Sequence, residues 1–265
     1  MAKNILYILG CGRSGSTLLG FVLGNGNGFI DLGEVVDFWR FKGRPNGFSP
    51  DSANYKFWSK ILTKVERETG DEGLVNLRKA YEIVGKHNYF PFLFFSLRKN
   101  KRELECYQKG ICALYDAILN QSGGVQIVDS SKFPIHLLHL LKTGYRKKID
   151  TLFLIRNPVA LYRAFNKNEQ SHKKDIFSFL AYYFGVNIMA MLVLSSYRIK
   201  YTYISFEQLL KDPEVILKNV EERVGCDLSV ARKKIQDQQP LERGFIFNGN
   251  RMRISEKVVF RQNEK

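Results

Sequence analysis

Short apolar runs recur along the chain, spaced widely enough to hold a helix between each pair. Ile5 to Leu9, Phe29 to Leu32, Val125 to Val128, Thr151 to Ile155 and Tyr201 to Phe206 are each apolar or β-branched, the pattern of buried strands. A short helix is expected from about Ser16 to Leu23, stopped by Gly24, Gly26 and Gly28. Asp212, Pro213 and Glu214 open another, because proline suits a first helical turn and acids suit its amino end. This alternation predicts an α/β fold in which a central parallel β-sheet is flanked by helices. From Asn54 to Cys112 the pattern is mainly helical, with charges between apolar positions. Residues from about 40–120 therefore read as a helical insertion within a single domain spanning 1–265. After Arg253 the chain turns polar, which predicts a loosely held tail.

Two apolar stretches raise the question of a membrane. Ile176 to Tyr197 carries no charge and is long enough to cross a bilayer as a helix. Ser178, Gly185, Asn187 and the pair Tyr182 and Tyr183 interrupt its surface, and a strand follows almost at once. A buried core helix is the favoured reading, so no transmembrane span is expected. Phe90 to Leu97 is aromatic and too short to span, and suits either an acceptor pocket or peripheral contact with lipid.

Charge narrows the partners. Lys and Arg outnumber Asp and Glu by 41 to 26, a formal charge of +15 that favours an anionic partner such as a nucleotide, polyanion or membrane surface. Basic residues crowd at Arg98 to Arg102, Arg146 to Lys148 and Lys167 to Lys174 without forming one stripe, so nucleic acid is not expected. Cys11, Cys106, Cys112 and Cys226 form no CxxC pair and show no metal-ligand spacing with the four histidines. No zinc or other metal and no disulfide framework is indicated, and a reducing, cytoplasmic setting is expected. The first apolar run meets glycine at Gly10, too soon for a secretory signal.

The sharpest local signal is Gly10-Cys11-Gly12-Arg13-Ser14-Gly15-Ser16-Thr17, set between an apolar strand and a helix. Its glycines have P-loop spacing, and such a loop turns backbone N–H groups and the positive end of a helix dipole towards phosphate or sulfate. Ser16 stands where a nucleoside triphosphate loop carries lysine, which leaves Arg13 as the nearby cation.

Arg13 to Thr17 resembles the 5'-phosphosulfate loop of sulfotransferases that use 3'-phosphoadenylyl sulfate (PAPS), notably the tyrosylprotein, carbohydrate and bacterial branch. Later segments resemble that family in the same order: Gly33-Glu34, Asp129-Ser130-Ser131-Lys132, Thr151 to Pro158, Tyr203 to Pro213, and Gly249 to Arg253. The resemblance implies the P-loop-like sulfotransferase fold and transfer of a sulfuryl group from PAPS to a hydroxyl, leaving 3'-phosphoadenosine 5'-phosphate (PAP), with no metal. It implies that Arg13, Ser14, Gly15, Ser16 and Thr17 hold the 5'-phosphosulfate and that Arg156, aided by Arg251 and Arg253, holds the 3'-phosphate. It makes Glu34 the base, with Lys132 and Arg13 neutralising charge on the sulfuryl group or departing phosphate. Ala164 replaces a serine usual in the family, and Phe206 replaces a tyrosine in a segment read as structural.

Each of these residues also has a plainer reading. Asp129 and Ser130 would cap a helix while Lys132 faces solvent. Glu34 would sit at a helix start, and Arg156 would be a salt-bridge partner. For Glu34 to act as a base near neutrality, burial beside Val35, Val36 and Phe38 would have to raise its proton affinity. His87, His136, His139 and His172 are weaker base candidates. The acceptor is open among small-molecule, carbohydrate, lipid and peptide hydroxyls, with Trp39, Phe90, Phe92, Phe94 and Phe95 suited to such a ligand or to a core. A P-loop kinase and a sulfotransferase-like binding protein without turnover are the competing functions.

Overall fold

A computed structural model describes residues 4–70, 73–85, 100–167, 175–255 and 257–262. The aromatic stretch Phe90 to Leu97, with His87 and His172, lies outside the described residues, as do Arg98, Lys99 and most of Lys167 to Lys174.

Five parallel strands form the centre: β1 (Ile5–Gly10), β2 (Phe29–Asp31), β3 (Gln126–Lys132), β4 (Ile149–Ile155) and β5 (Tyr201–Ser205), in the order β2-β3-β1-β4-β5. β1 is buried throughout, and its twofold side-chain period feeds two cores. Ile5, Tyr7 and Leu9 enter one, and Leu6 and Ile8 the other. Helices cover both faces, as the alternation of elements predicts.

On the first face lie α2 (Ala53–Thr69), α3 (Gly73–Ala80), α4 (Lys101–Gln121) and α5 (Pro134–Lys142), which contribute Trp58, Leu77, Leu114 and Leu137 to the core. The first three fall between β2 and β3, where the sequence reads as helical. On the second face α1 (Ser16–Gly24) packs with the later helices α8 (Phe206–Lys211), α9 (Pro213–Val224) and α10 (Ser229–Gln236). Between these groups run α6 (Pro158–Asn166) and α7 (Ile176–Ser196). The Asp212 side chain caps α9 by accepting from the Val215 amide, with Pro213 in the first turn.

Three expectations change. β3 runs on through Asp129, Ser130 and Ser131 to Lys132 instead of turning after Val128. Asp129 and Ser131 are buried with their side-chain hydrogen bonds met internally. Asp129 and Ser130 do not cap α5, which begins at Pro134 without a side-chain cap. Among the described residues the tail is held: β7 (Val258–Val259) pairs antiparallel with β6 (Pro240–Leu241), and Val258 and Phe260 are buried. Finally, α7 is only half a core helix. Phe179, Val186, Met189, Ala190, Val193 and Leu194 are buried, while Phe177, Phe184, Ile188, Met191 and Leu192 are exposed.

Candidate functional site

Because the strands are parallel, their carboxyl ends share one edge, where open α/β sheets bind ligands. The segments at the ends of β1, β2, β3 and β4 bring Arg13, Glu34, Lys132 and Arg156 to the wall of one cavity of about 520 Å³. Gly15, Ser16 and Thr17 complete the β1 side, and Arg251 and Arg253 arrive from the far end of the chain. Among the described residues the wall thus carries five cations and a single carboxylate. Ser14 does not join it: its hydroxyl is buried without a partner among the described residues, and its amide donates to Cys11 O at 3.3 Å.

The loop after β1 is shaped by close contact. Gly15 has φ 98°, and a Cβ there would overlap the Phe206 ring. Phe206 in turn carries the Arg156 guanidinium 4.8 Å above its ring, a cation–π contact. Arg156 Nη1 donates to Arg13 O at 2.9 Å, so this arginine braces the loop while facing the cavity. Its Nε is buried without a partner among the described residues. Burial holds the guanidinium below its ordinary pKa, opposed by Glu207. Gly12 N donates 2.8 Å to Tyr182 of α7, which anchors the loop from the other side.

Lys132 owes its position to a β-bulge. Tyr7 pairs with Asp129 but Leu9 pairs with Lys132, so β3 gains one residue against β1. Bulges bend a strand and re-aim its side chains. Lys132 takes φ 62° and directs its ammonium to Glu34, with Nζ 2.5 Å from Oε1. Both side chains are mostly buried, so Glu34 stands paired with a cation as well as beside Val35, Val36 and Phe38.

Buried hydrogen bonds fix the backbone around this pair. The Ser131 hydroxyl accepts from the Val36 amide at 3.0 Å and donates to Asp129. Asp129 also accepts from the Ser131 amide and the Tyr115 hydroxyl, and His136 Nε2 lies 2.9 Å from that hydroxyl. Burial raises the Asp129 carboxyl to about 6 against those hydrogen bonds, and drives His136 down to about 3. His136 and His139 are buried away from the cavity wall.

A segment from the far end of the chain closes the site. Phe245 N donates to Asp31 O at 3.0 Å, Phe247 N to Leu32 O at 2.8 Å, and Glu34 N back to Asn248 O at 2.9 Å. Gly33 has φ 66°, and a Cβ there would strike Asn248 O, so glycine is required at the crossing. Beyond it, Asn250 N donates to the Thr17 hydroxyl at 3.4 Å. Arg253 is held by Gly249 O at 2.6 Å and Asn46 O at 3.2 Å. Asn248 donates to Asp37, whose carboxyl is raised by burial and by the neighbouring Glu34.

Sequence reading missed Asp37, Asn248 and Tyr182 as supports, since their partners lie far along the chain. It also undervalued Phe206, which is both the base of the Gly15 turn and the platform for Arg156. Ala164, where the resemblance leads one to expect a serine, lies on the cavity wall.

The chain is an α/β protein whose parallel sheet carries a lysine-free glycine loop beside a cavity walled by guanidinium and ammonium groups. No family model and no curated protein sequence matches the chain. Among solved structures it is similar to sulfotransferase STF1 from Mycobacterium tuberculosis, at 15% identity over 88% of this chain and 70% of that one, with a TM-score of 0.52. It is also similar to the sulfotransferase domain of the Synechococcus PCC 7002 olefin synthase (17% identity, 87% and 76% covered, TM-score 0.45). A third similar solved structure is sulfotransferase STF9 from Mycobacterium avium (12% identity, 89% and 68% covered, TM-score 0.45). The fold is that of the sulfotransferases.

Proposed function

We propose that the chain is a PAPS-dependent sulfotransferase acting on a hydroxyl. The observation that carries this reading is the Glu34–Lys132 ion pair on the wall of a cation-rich cavity that opens beside a lysine-free phosphate loop. Five cations against one carboxylate suit a nucleotide charged at both ends, and the cavity size falls within the range of small-molecule sites. The amides of the first turn of α1, with Arg13, Ser16 and Thr17, would hold the 5'-phosphosulfate. Arg156, with Arg251 and Arg253, would hold the 3'-phosphate, since planar guanidinium groups grip phosphate oxygens in pairs.

PAPS supplies an activated sulfuryl group with a phosphate leaving group. The acceptor oxygen forms a bond to sulfur as the sulfur–oxygen bond to the 5'-phosphate breaks, and the acceptor proton passes to Glu34. Negative charge spreads over the sulfuryl oxygens and the leaving phosphate, where Lys132 and Arg13 stabilise it electrostatically. Lys132 thus serves both the base and the transferring group.

Calorimetry with PAP and ATP in the absence of magnesium tests the donor site, with tighter binding of PAP expected. Transfer of labelled sulfate from PAPS to a panel of sugar, phenol, peptide and lipid hydroxyls tests the reaction. Equal affinity for ATP, or no affinity for PAP at low salt, would overturn the reading.

A further inference from the structure

The outer face of α7 has no role in the cavity, and its chemistry is unusual for a protein surface. Phe177, Ala181, Phe184, Ile188 and Met191 recur at helical spacing along one stripe about 22 Å long, with Leu192 beside it. Phe177 is 80% exposed, Phe184 55% and Ile188 56%. Tyr201 on the edge strand β5 extends the patch, its hydroxyl 3.9 Å from Met191 Sδ. Scattered apolar residues are ordinary on a surface, but a continuous stripe of large ones marks a binding face.

The surrounding charge identifies what covers it. Arg146 donates to Tyr197 O, which brings the basic turn Tyr145–Lys148 against the carboxyl end of α7. Arg146, Lys147, Arg198 and Lys200 are exposed there, beside a helix with no charge of its own. Of the acids near these elements, Asp116 accepts from the Tyr145 hydroxyl, and Asp175 at the other end of α7 is occupied in capping the helix through Ser178 N. Self-association is opposed by a net charge of +15 on each copy. Insertion as a span is opposed by the inner face of α7, which is fixed to the core through Val186, Met189 and Val193 and to the phosphate loop through Tyr182.

We infer that the protein docks on a bilayer containing anionic lipids, with α7 lying in the interface plane. Phe177, Phe184 and Ile188 enter the acyl boundary, and the cluster at Arg146, Lys147, Arg198 and Lys200 meets the headgroups. This inference does not depend on the reaction proposed above.

The test is flotation of the full chain with phosphatidylcholine vesicles, with and without phosphatidylglycerol. Binding is expected only with the anionic lipid and is expected to weaken with salt. Phe184→Ser combined with Ile188→Ser should lower the affinity about ten-fold or more, because it removes buried apolar area. Arg198→Glu combined with Lys200→Glu should lower it to a similar extent. These positions lie outside the cavity, so unchanged circular dichroism and an unchanged urea midpoint serve as controls for folding. If the Phe184, Ile188 variant binds the anionic vesicles as well as the parent does, charge alone drives adsorption and the inference fails. It fails equally if light scattering shows a dimer that this variant abolishes and no vesicle binding by the parent.

Discussion

Arg13 and Lys132, cations from the ends of two neighbouring strands, both hold left-handed backbone, at φ 66° and 62°, and both face the same cavity. For residues with a Cβ that conformation costs about 1–2 kcal/mol each. Such strain persists where the surroundings impose it, and it gathers at functional sites.

Lys132 can therefore be separated into its charge and its backbone. Lys132→Ala and Lys132→Gly should both lower turnover by about 10²-fold or more, the scale of losing one group that stabilises transition-state charge. They should differ in stability, because glycine suits positive φ and alanine does not. The glycine variant should resist urea better by about 0.5–1 kcal/mol. PAP affinity should change little in either variant compared with turnover, and normal turnover would remove the lysine from the mechanism.

Gly15→Ala should damage the site through packing. The new methyl would meet the Phe206 ring, on backbone at φ 98°. Overpacking and backbone strain together should destabilise the protein by about 2–4 kcal/mol, read by denaturant unfolding. Adding Phe206→Leu should recover only part of that loss, since it relieves the clash but leaves the backbone strained.

Arg156→Ala should weaken PAP binding about ten-fold or more, the usual value of a charge-assisted hydrogen bond. Adenosine 5'-phosphate, which lacks the 3'-phosphate, should lose less. Calorimetry with both ligands separates the two roles available to this side chain. An equal loss for both would mean that Arg156 serves only to brace Arg13 O and to stack on Phe206.

Asp31 supplies a pH test. Burial raises its carboxyl to about 7, opposed by the Gly33 amide at 3.0 Å. With the folded pKa above the unfolded value of about 3.9, the unfolded chain ionises first as pH rises. Asp31 therefore favours the fold at low pH and loses that contribution as pH climbs from about 4 to about 7. Asp31→Asn does not titrate and keeps an acceptor for Gly33 N. Its stability relative to the parent should increase across that window by a few kcal/mol in order of magnitude, then level off. A difference that stays flat with pH would show that Asp31 is not protonated in the folded protein.

The strand and helix pattern, the glycine loop after β1 and the shared edge of Arg13, Glu34, Lys132 and Arg156 were legible in the sequence because they are local or follow from parallel topology. The bulge in β3 was not. Asp129, Ser130 and Ser131 are polar residues of the kind that make turns, and only Tyr115 and the Val36 amide, supplied from elsewhere, allow two of them to lie in a buried strand. The same limit hid the crossing at Gly33, whose partner Asn248 is remote in sequence. For α7 the apolar pattern gave length and character, but not that one side would lack a covering.

The crossing of Phe245 to Asn248 over Asp31 to Glu34 also orders events in time. A ribosome completes the last strand of the central sheet at Ser205, yet the cavity wall still requires Gly249 to Arg253. The central sheet is thus complete in sequence before the last side of the cavity wall has been made. The Gly33–Glu34 turn therefore gains its Asn248 partner, and the cavity its Gly249 to Arg253 side, only from residues synthesised after the whole central sheet.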